Sequence, residues 1–65
     1  MKSYSSREVA KILREAGWYE VRCHGDDHQY KHETKPGLVT LTHPKKDIPL
    51  GTLKSIERQA GVKFP

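Results

Sequence analysis

The sequence predicts an α+β domain in the order helix, strand, strand, strand, helix, with both helices on one face of a three-stranded antiparallel sheet. Apolar residues recur at intervals of three and four near both ends of the chain and alternate with polar residues between them. The pattern therefore predicts a helix near each end of the chain and strands between them. The links at residues 24–27 and 33–37 are short and rich in turn formers, which favours hairpins. A sheet this small cannot bury a face alone, so both helices must cover the same side.

The first helix is predicted to begin after Ser5, because Ser5 and Glu8 have the spacing of a capping box. Gly17 is expected to end this helix, since glycine accepts a left-handed backbone. The stripe of apolar residues that should face the sheet is Val9, Ile12, Leu13 and Ala16.

The first strand is predicted over residues 18–23, where Tyr19, Val21 and Cys23 alternate with charged residues and are expected to face the core. The second strand is expected over residues 28–32 and the third over residues 38–42, which are rich in β-branched side chains.

A second helix is predicted after the loop at residues 43–47, and Gly61 should end it. Its apolar stripe is expected to be Leu50, Leu53, Ile56 and Ala60.

Length and composition limit the functions available to the chain. Its 65 residues are expected to form one domain, residues 1–65, which leaves no room for a deep active-site cavity. Twelve Lys and Arg against eight Asp and Glu give a net charge of +4, which suits a polyanionic partner such as nucleic acid. One cysteine excludes an internal disulfide and fits a reducing cytoplasm. No apolar run is long enough for a membrane span, so we expect a cytoplasmic protein without a membrane partner.

Three histidines, His24, His28 and His32, are spaced by four, which on a helix would suggest a metal site. The segment Gly25-Asp26-Asp27 opposes a helix there, and on a strand His28 and His32 would lie about 13 Å apart at roughly 3.3 Å per residue. That separation is too large for one shared ion with bonds of about 2 Å. The sequence therefore predicts neither a metal site nor a cofactor.

His28 is the candidate for acid–base chemistry, because it lies where a turn enters a strand and imidazole titrates near neutral pH. A base that removes the proton of an RNA 2′-hydroxyl allows that oxygen to attack the adjacent phosphate without a metal. Asp27 or Asp26 could orient the imidazole or raise its pKa. The alternative is that these are ordinary polar residues of a hairpin.

Basic residues on the predicted sheet, loops and second helix are candidates for contacts with RNA phosphates, which dominate affinity for nucleic acid. The alternative is a merely solvated surface. The candidates are Arg22, Lys31, Lys45, Lys46 and Lys54.

Several segments, in order along almost the whole chain, match one known family. They are Gly17-Trp18-Tyr19, Gly25-x-x-His28-Gln29-Tyr30-Lys31-His32, Lys35-Pro36-Gly37-Leu38-Val39-Thr40, His43-Pro44-Lys45-Lys46-Asp47-Ile48-Pro49, Gly51-Thr52-Leu53-Lys54-Ser55-Ile56 and Gln59-Ala60-Gly61. These segments resemble the HicA family, the small mRNA interferase toxins of bacterial toxin–antitoxin pairs.

The resemblance implies a double-stranded-RNA-binding-domain-like fold, cleavage of mRNA without the ribosome, and neutralisation by a HicB-type antitoxin that covers the active face. We expect the chain alone to be a monomer. Antitoxins of this family often form larger assemblies, so a larger assembly with the antitoxin stays open.

One departure from the family falls at the turn into the second strand. The family usually has Gly-x-His there, and that histidine is expected to be catalytic. The matching position here is Asp27, followed by His28. Three interpretations stay open: His28 has taken over the catalytic role, the protein is a weakened or inactive toxin that binds RNA or antitoxin, or Asp27 is an engineered substitution. The leading hypothesis is a ribonuclease in which His28 is the general base or acid and Asp27 orients it or stands in for the family histidine.

Overall fold

The computed structural model describes residues 3–64, so the outer limits predicted for the domain lie outside the described residues. The elements are α1 (Ser6–Glu15), β1 (Tyr19–His24), β2 (Asp27–Lys31), β3 (Val39–Thr42) and α2 (Leu50–Ala60). The three strands form one antiparallel sheet in the order β1-β2-β3. The predicted order of elements and the antiparallel hairpins are confirmed. Within residues 3–64, neither helix is long and apolar enough to cross a membrane.

The first helix begins as its sequence predicts. The Glu8 amide donates to Ser5 Oγ at 3.2 Å, and the Ser5 amide donates to Glu8 Oε1 at 3.0 Å, so the capping box is complete. Such reciprocal bonds satisfy two backbone amides that the helix itself leaves without partners. At the other end of the chain, Gly61 closes α2 with a left-handed φ of 69°.

The core lies between the two helices and one face of the sheet, which we call the helix face. Val39 and Leu41 on β3 are buried while Thr40 and Thr42 are exposed, so β3 alternates as a strand with one covered face. Tyr30 pairs with Val39 across the sheet and is buried on the same side. Both helices contribute buried residues to this cluster, namely Val9, Ala10, Leu13, Leu53, Ile56 and Ala60.

The prediction that β1 has one buried face is wrong. All six residues of β1 are exposed, with Tyr19 at 47% and Val21 at 46% exposure, and the Cys23 thiol is exposed as well. The reason is that both helices pack against β3, which leaves β1 as an uncovered edge strand. Leu50, predicted in the apolar stripe of α2, is also 53% exposed, because it lies in the first turn of the helix, beyond the core.

His32, just after β2, bonds both the segment that links α1 to β1 and the loop that follows β2. Its Nε2–H donates to the Ala16 carbonyl at 3.1 Å, since a carbonyl only accepts. Its Nδ1 accepts from the amides of Thr34 and Lys35 at 3.1 and 3.3 Å. The ring also packs edge-on against buried Trp18, with 5.3 Å between the ring centroids. These contacts give His32 a structural role.

Candidate functional site

A β-bulge in β1 determines which side chains flank His28. Cross-strand partners share a face, and Glu20 pairs with Tyr30 while Cys23 pairs with His28. The register shifts between Glu20 and Arg22, so strict alternation is broken within the strand. Glu20 and Cys23, which alternation would put on opposite faces, therefore both lie on the helix face beside His28.

Glu20 and His28 form a carboxylate–imidazole pair. The His28 Nδ1–H donates to Glu20 Oε1 at 2.8 Å, because an ionised carboxylate only accepts. This bond fixes the tautomer of the neutral ring and leaves Nε2 with a lone pair. His28 Nε2 lies within weak hydrogen-bond distance of the Cys23 thiol, at 3.7 Å, and that thiol donates to the Gly25 carbonyl at 3.4 Å. The His28 side chain is 19% exposed, so it is restrained but accessible.

A second histidine, His43, stands beside His28. The two rings meet edge to face, with 5.4 Å between their centroids and 82° between their planes. His43 directly follows β3, and its amide donates to the Asp26 carbonyl at 2.8 Å, which ties it to the turn between β1 and β2. Its Nδ1 is hydrogen-bonded to Ser6 Oγ at 2.7 Å. The site thus brings together two imidazoles at one end of the sheet, His28 from the start of β2 and His43 from just after the end of β3.

The two histidines lie in a cavity of about 530 Å³, which we call the histidine cleft; it is lined by Arg7, Ala10, Arg14, Glu20, His28, Tyr30 and His43. Arg7, Ala10 and Arg14 come from one face of α1, since they are spaced by three and four. Ala10, which is small, lies between the two arginines on this face and also lines the cleft. The cleft therefore combines acid–base groups with two permanent cations, a set suited to a phosphodiester.

Tyr30 forms the inner wall of this cleft. Burial raises the pKa of the Tyr30 hydroxyl above its ordinary value of 10.0, and the Glu20 carboxylate adds to the rise. Arg14, which hydrogen-bonds the tyrosine, opposes the rise but does not cancel it. Tyr30 is therefore a neutral hydrogen-bonding group at physiological pH.

The structure does not bring Asp27 together with His28. Successive side chains of a strand point to opposite faces, and Asp27 lies on the outer face, opposite His24 and Thr42. Its Oδ1 accepts from Thr42 Oγ1 at 3.2 Å. The prediction that Asp27 orients His28 is wrong in this respect, because Glu20 makes that contact.

The predicted RNA-binding residues lie on three separate surfaces. Arg22 and Lys31 border a groove on the outer face, the outer groove, which is lined by Tyr19, Val21, Arg22, Gln29, Lys31 and Leu38. Lys45 and Lys46 lie in the β3–α2 loop beside Arg7 and His43. Lys54 is exposed on α2. Only the pair Lys45 and Lys46 adjoins the histidine cleft.

The three evenly spaced histidines have three different environments. His24 is exposed on the outer face, His28 lines the histidine cleft, and His32 is held by backbone groups. Across residues 3–64, no three His, Cys, Asp or Glu side chains are grouped so that they could hold a metal ion.

The α-β-β-β-α fold and this cleft define a class: a small α+β domain with an ionisable, arginine-flanked site at one end of its sheet. Residues 6–62 match the family described as the HicA toxin of bacterial toxin-antitoxin systems, and the chain belongs to that family. Among solved structures, it is similar to a chain of the "HicA3 and HicB3 toxin-antitoxin complex", with 29% sequence identity and a TM-score of 0.82. That match covers 95% of this chain and 100% of the other. A comparison with curated proteins gave no match.

These matches confirm the resemblance stated from the sequence and the double-stranded-RNA-binding-domain-like fold. Sequence reasoning missed Glu20, His43, Ser6 and the two arginines of α1 as members of the site. The spacing of Arg7 and Arg14 on one helical face was a usable signal. For Glu20 there was none, because only the bulge turns it toward His28.

Proposed function

We propose that this chain is the toxin of a toxin–antitoxin pair and an endoribonuclease that cleaves mRNA by metal-independent acid–base chemistry, with His28 as the general base. The observation that supports this most directly is the 2.8 Å bond between Glu20 and His28 Nδ1 inside a cleft flanked by Arg7 and Arg14. The arrangement presents a lone pair on Nε2 next to cations that attract phosphate.

In the proposed reaction His28 Nε2 accepts the proton of a ribose 2′-hydroxyl, and the 2′-oxygen attacks the adjacent phosphorus. The P–O5′ bond breaks, and the leaving 5′-oxygen takes up a proton. Glu20 holds the ring in the reactive tautomer and stabilises the imidazolium that forms, as carboxylates do in other histidine dyads. Arg7 and Arg14 neutralise the charge that accumulates on the phosphate oxygens.

The RNA backbone is proposed to continue from the cleft along the β3–α2 loop, where Lys45 and Lys46 lie beside Arg7. Arg22, Lys31 and Lys54 would contact phosphates further along a bound strand. Arg14→Ala should weaken RNA binding and lower the slope of log affinity against log salt by about 1. Arg58→Ala, at an exposed position of α2 that does not line the cleft, is the matched control and should change neither quantity.

A HicB-type antitoxin is the proposed protein partner. The similar solved chain comes from a complex of HicA3 with HicB3. Neutralisation would follow if the antitoxin covers the histidine cleft, because the reacting groups lie at the surface. The family resemblance supports a larger assembly with the antitoxin.

The test is cleavage of a long unstructured RNA by the purified protein in EDTA, beside His28→Ala. We expect the parent to cut and His28→Ala to lose at least ~100-fold in rate, a typical loss for a general base. His24→Ala is the control, since His24 is an exposed histidine on the other face. Equal cutting by parent and His28→Ala, with both folded by circular dichroism, would show that His28 is not the base.

A second candidate function rests on Asp27. This carboxylate occupies the position matching the family histidine, on the outer face that also bears Arg22 and Lys31. A negative charge there repels phosphate and weakens RNA binding as well as the chemistry, which would leave a module that holds RNA weakly or binds antitoxin without cutting. Asp27→His separates the two functions: if only this variant cuts RNA, the outer face is the active one. Asp26→Asn, at the neighbouring turn position, serves as its control.

A further inference from the structure

We propose that His43 is a second catalytic residue of the same site, the general acid that protonates the leaving 5′-oxygen while His28 acts as the base. This inference rests on the function proposed above and adds a named group for the second proton transfer. The observations that support it are the 5.4 Å separation of the two rings and the restraint of each ring through its Nδ1.

The orientation of His43 is determined by a buried hydroxyl. Ser6 is 1% exposed, and its Oγ accepts from the Lys45 amide at 2.9 Å while its own amide donates to the Lys45 carbonyl at 2.8 Å. The same Oγ lies 2.7 Å from His43 Nδ1. A hydroxyl oxygen can accept two hydrogen bonds, so it can receive one from Lys45 and one from the Nδ1–H of a protonated His43. The nitrogen left for substrate is Nε2.

The two histidines differ in the group bonded to Nδ1, and this difference assigns their roles. The Glu20 carboxylate faces His28 Nδ1, so the neutral ring keeps its lone pair on Nε2 and gains stabilisation when it accepts a proton. A neutral hydroxyl faces His43 Nδ1 and is compatible with an imidazolium that donates from both nitrogens. The geometry therefore gives a base and an acid in one cleft.

Cleavage of RNA through the 2′-hydroxyl requires both groups. The O2′–P bond forms and the P–O5′ bond breaks; the proton of the 2′-hydroxyl passes to His28 Nε2, and a proton from His43 Nε2 passes to O5′. The products are a 2′,3′-cyclic phosphate and a 5′-hydroxyl. The two histidines exchange protonation states, and proton exchange with water restores them. No metal, oxidant or further reactant is needed for this balance.

The test replaces the leaving oxygen by sulfur. A thiolate leaves without protonation, so an oligonucleotide with a 5′-bridging phosphorothiolate at a mapped cleavage site does not need a general acid. His43→Gln is the variant, because its amide can still hydrogen-bond Ser6 but has no titratable proton. We expect it to lose on the order of 100-fold in rate on the all-oxygen RNA and to regain most of that loss on the sulfur substrate. His28→Ala should lose activity on both.

Each result decides the proposal. Cleavage of the all-oxygen RNA by His43→Gln at the parent rate would overturn the role of His43 while leaving the proposed nuclease intact. An equal loss on both substrates would show that His43 supports the site or the fold and is not the acid; His43→Ala, with urea unfolding of each variant, checks that outcome. If the parent itself cuts neither substrate, both this inference and the proposed function fail.

Discussion

His32→Ala should destabilise the protein strongly, although the even spacing of His24, His28 and His32 does not set His32 apart from the other two. The substitution removes the donor to the Ala16 carbonyl and the acceptor shared by the amides of Thr34 and Lys35. It also removes a ring that packs edge-on against buried Trp18. The change therefore affects the α1–β1 link, the end of β2 and the core together.

The magnitude follows from these contacts. Each hydrogen bond contributes about 1 kcal/mol, and water can replace part of the loss at the two amides, since they bond His32 near the surface. With the lost packing, we expect the free energy of unfolding to fall by about 2–3 kcal/mol. A domain of this length has about 3–10 kcal/mol in total, so the loss is a large share.

The assay is urea unfolding followed by the fluorescence of Trp18 and by circular dichroism. With a slope of about 1 kcal/mol per molar urea, the midpoint should drop by about 2–3 M. His24→Ala is the matched control and should stay within about 0.5 kcal/mol of the parent, because His24 is exposed. A midpoint for His32→Ala equal to that of His24→Ala would refute the structural role. A loss of RNA cleavage in His32→Ala must accordingly be read as a folding defect.

Three further predictions concern the glycines and the cleft. Gly17→Ala should lower the free energy of unfolding by about 2–3 kcal/mol, because φ is +96° and the added Cβ would lie 2.8 Å from His32 Nε2. Gly25→Ala, at φ +63° with nothing within 4 Å of the added Cβ, should cost only about 1 kcal/mol, and a comparison of urea midpoints tests the difference. The Tyr30 hydroxyl has a lower pKa in the unfolded chain than in the folded one, so its contribution to the free energy of unfolding is present below pH 10 and is lost as the pH rises through the raised folded pKa. A free energy of unfolding that stays constant across that pH range would contradict the burial of this hydroxyl. Glu20→Gln should slow RNA cleavage roughly 10-fold, since about 1.4 kcal/mol of charge assistance to the imidazolium is lost. The same change should lower the pKa of Tyr30, which an absorbance titration detects even if no cleavage is seen.

The sequence by itself determined the secondary structure and the pairing of the strands. Local chemistry was sufficient for this: the capping box of Ser5 and Glu8 starts α1, the left-handed Gly61 ends α2, and the alternation of β3 shows its buried face. The short links at residues 24–27 and 33–37 then left an antiparallel sheet as the simplest topology, and the structure has it. Each of these features depends on residues that are near neighbours in the chain.

The tertiary structure decided the site. Alternation along β1 predicts neither that the strand lies uncovered at the edge nor that a bulge turns Glu20 toward His28, because both depend on where the helices pack and on the pairing with β2. His43 reaches His28 from the end of β3, and Ser6, which holds it, is 37 residues away along the chain. Asp27, adjacent to His28 in sequence, lies on the opposite face, since the pleat of a strand separates neighbours. Residues that are near in the chain are therefore not the ones that meet in the site. The packing of α1 and β3 against the β1–β2 hairpin brings the site residues together.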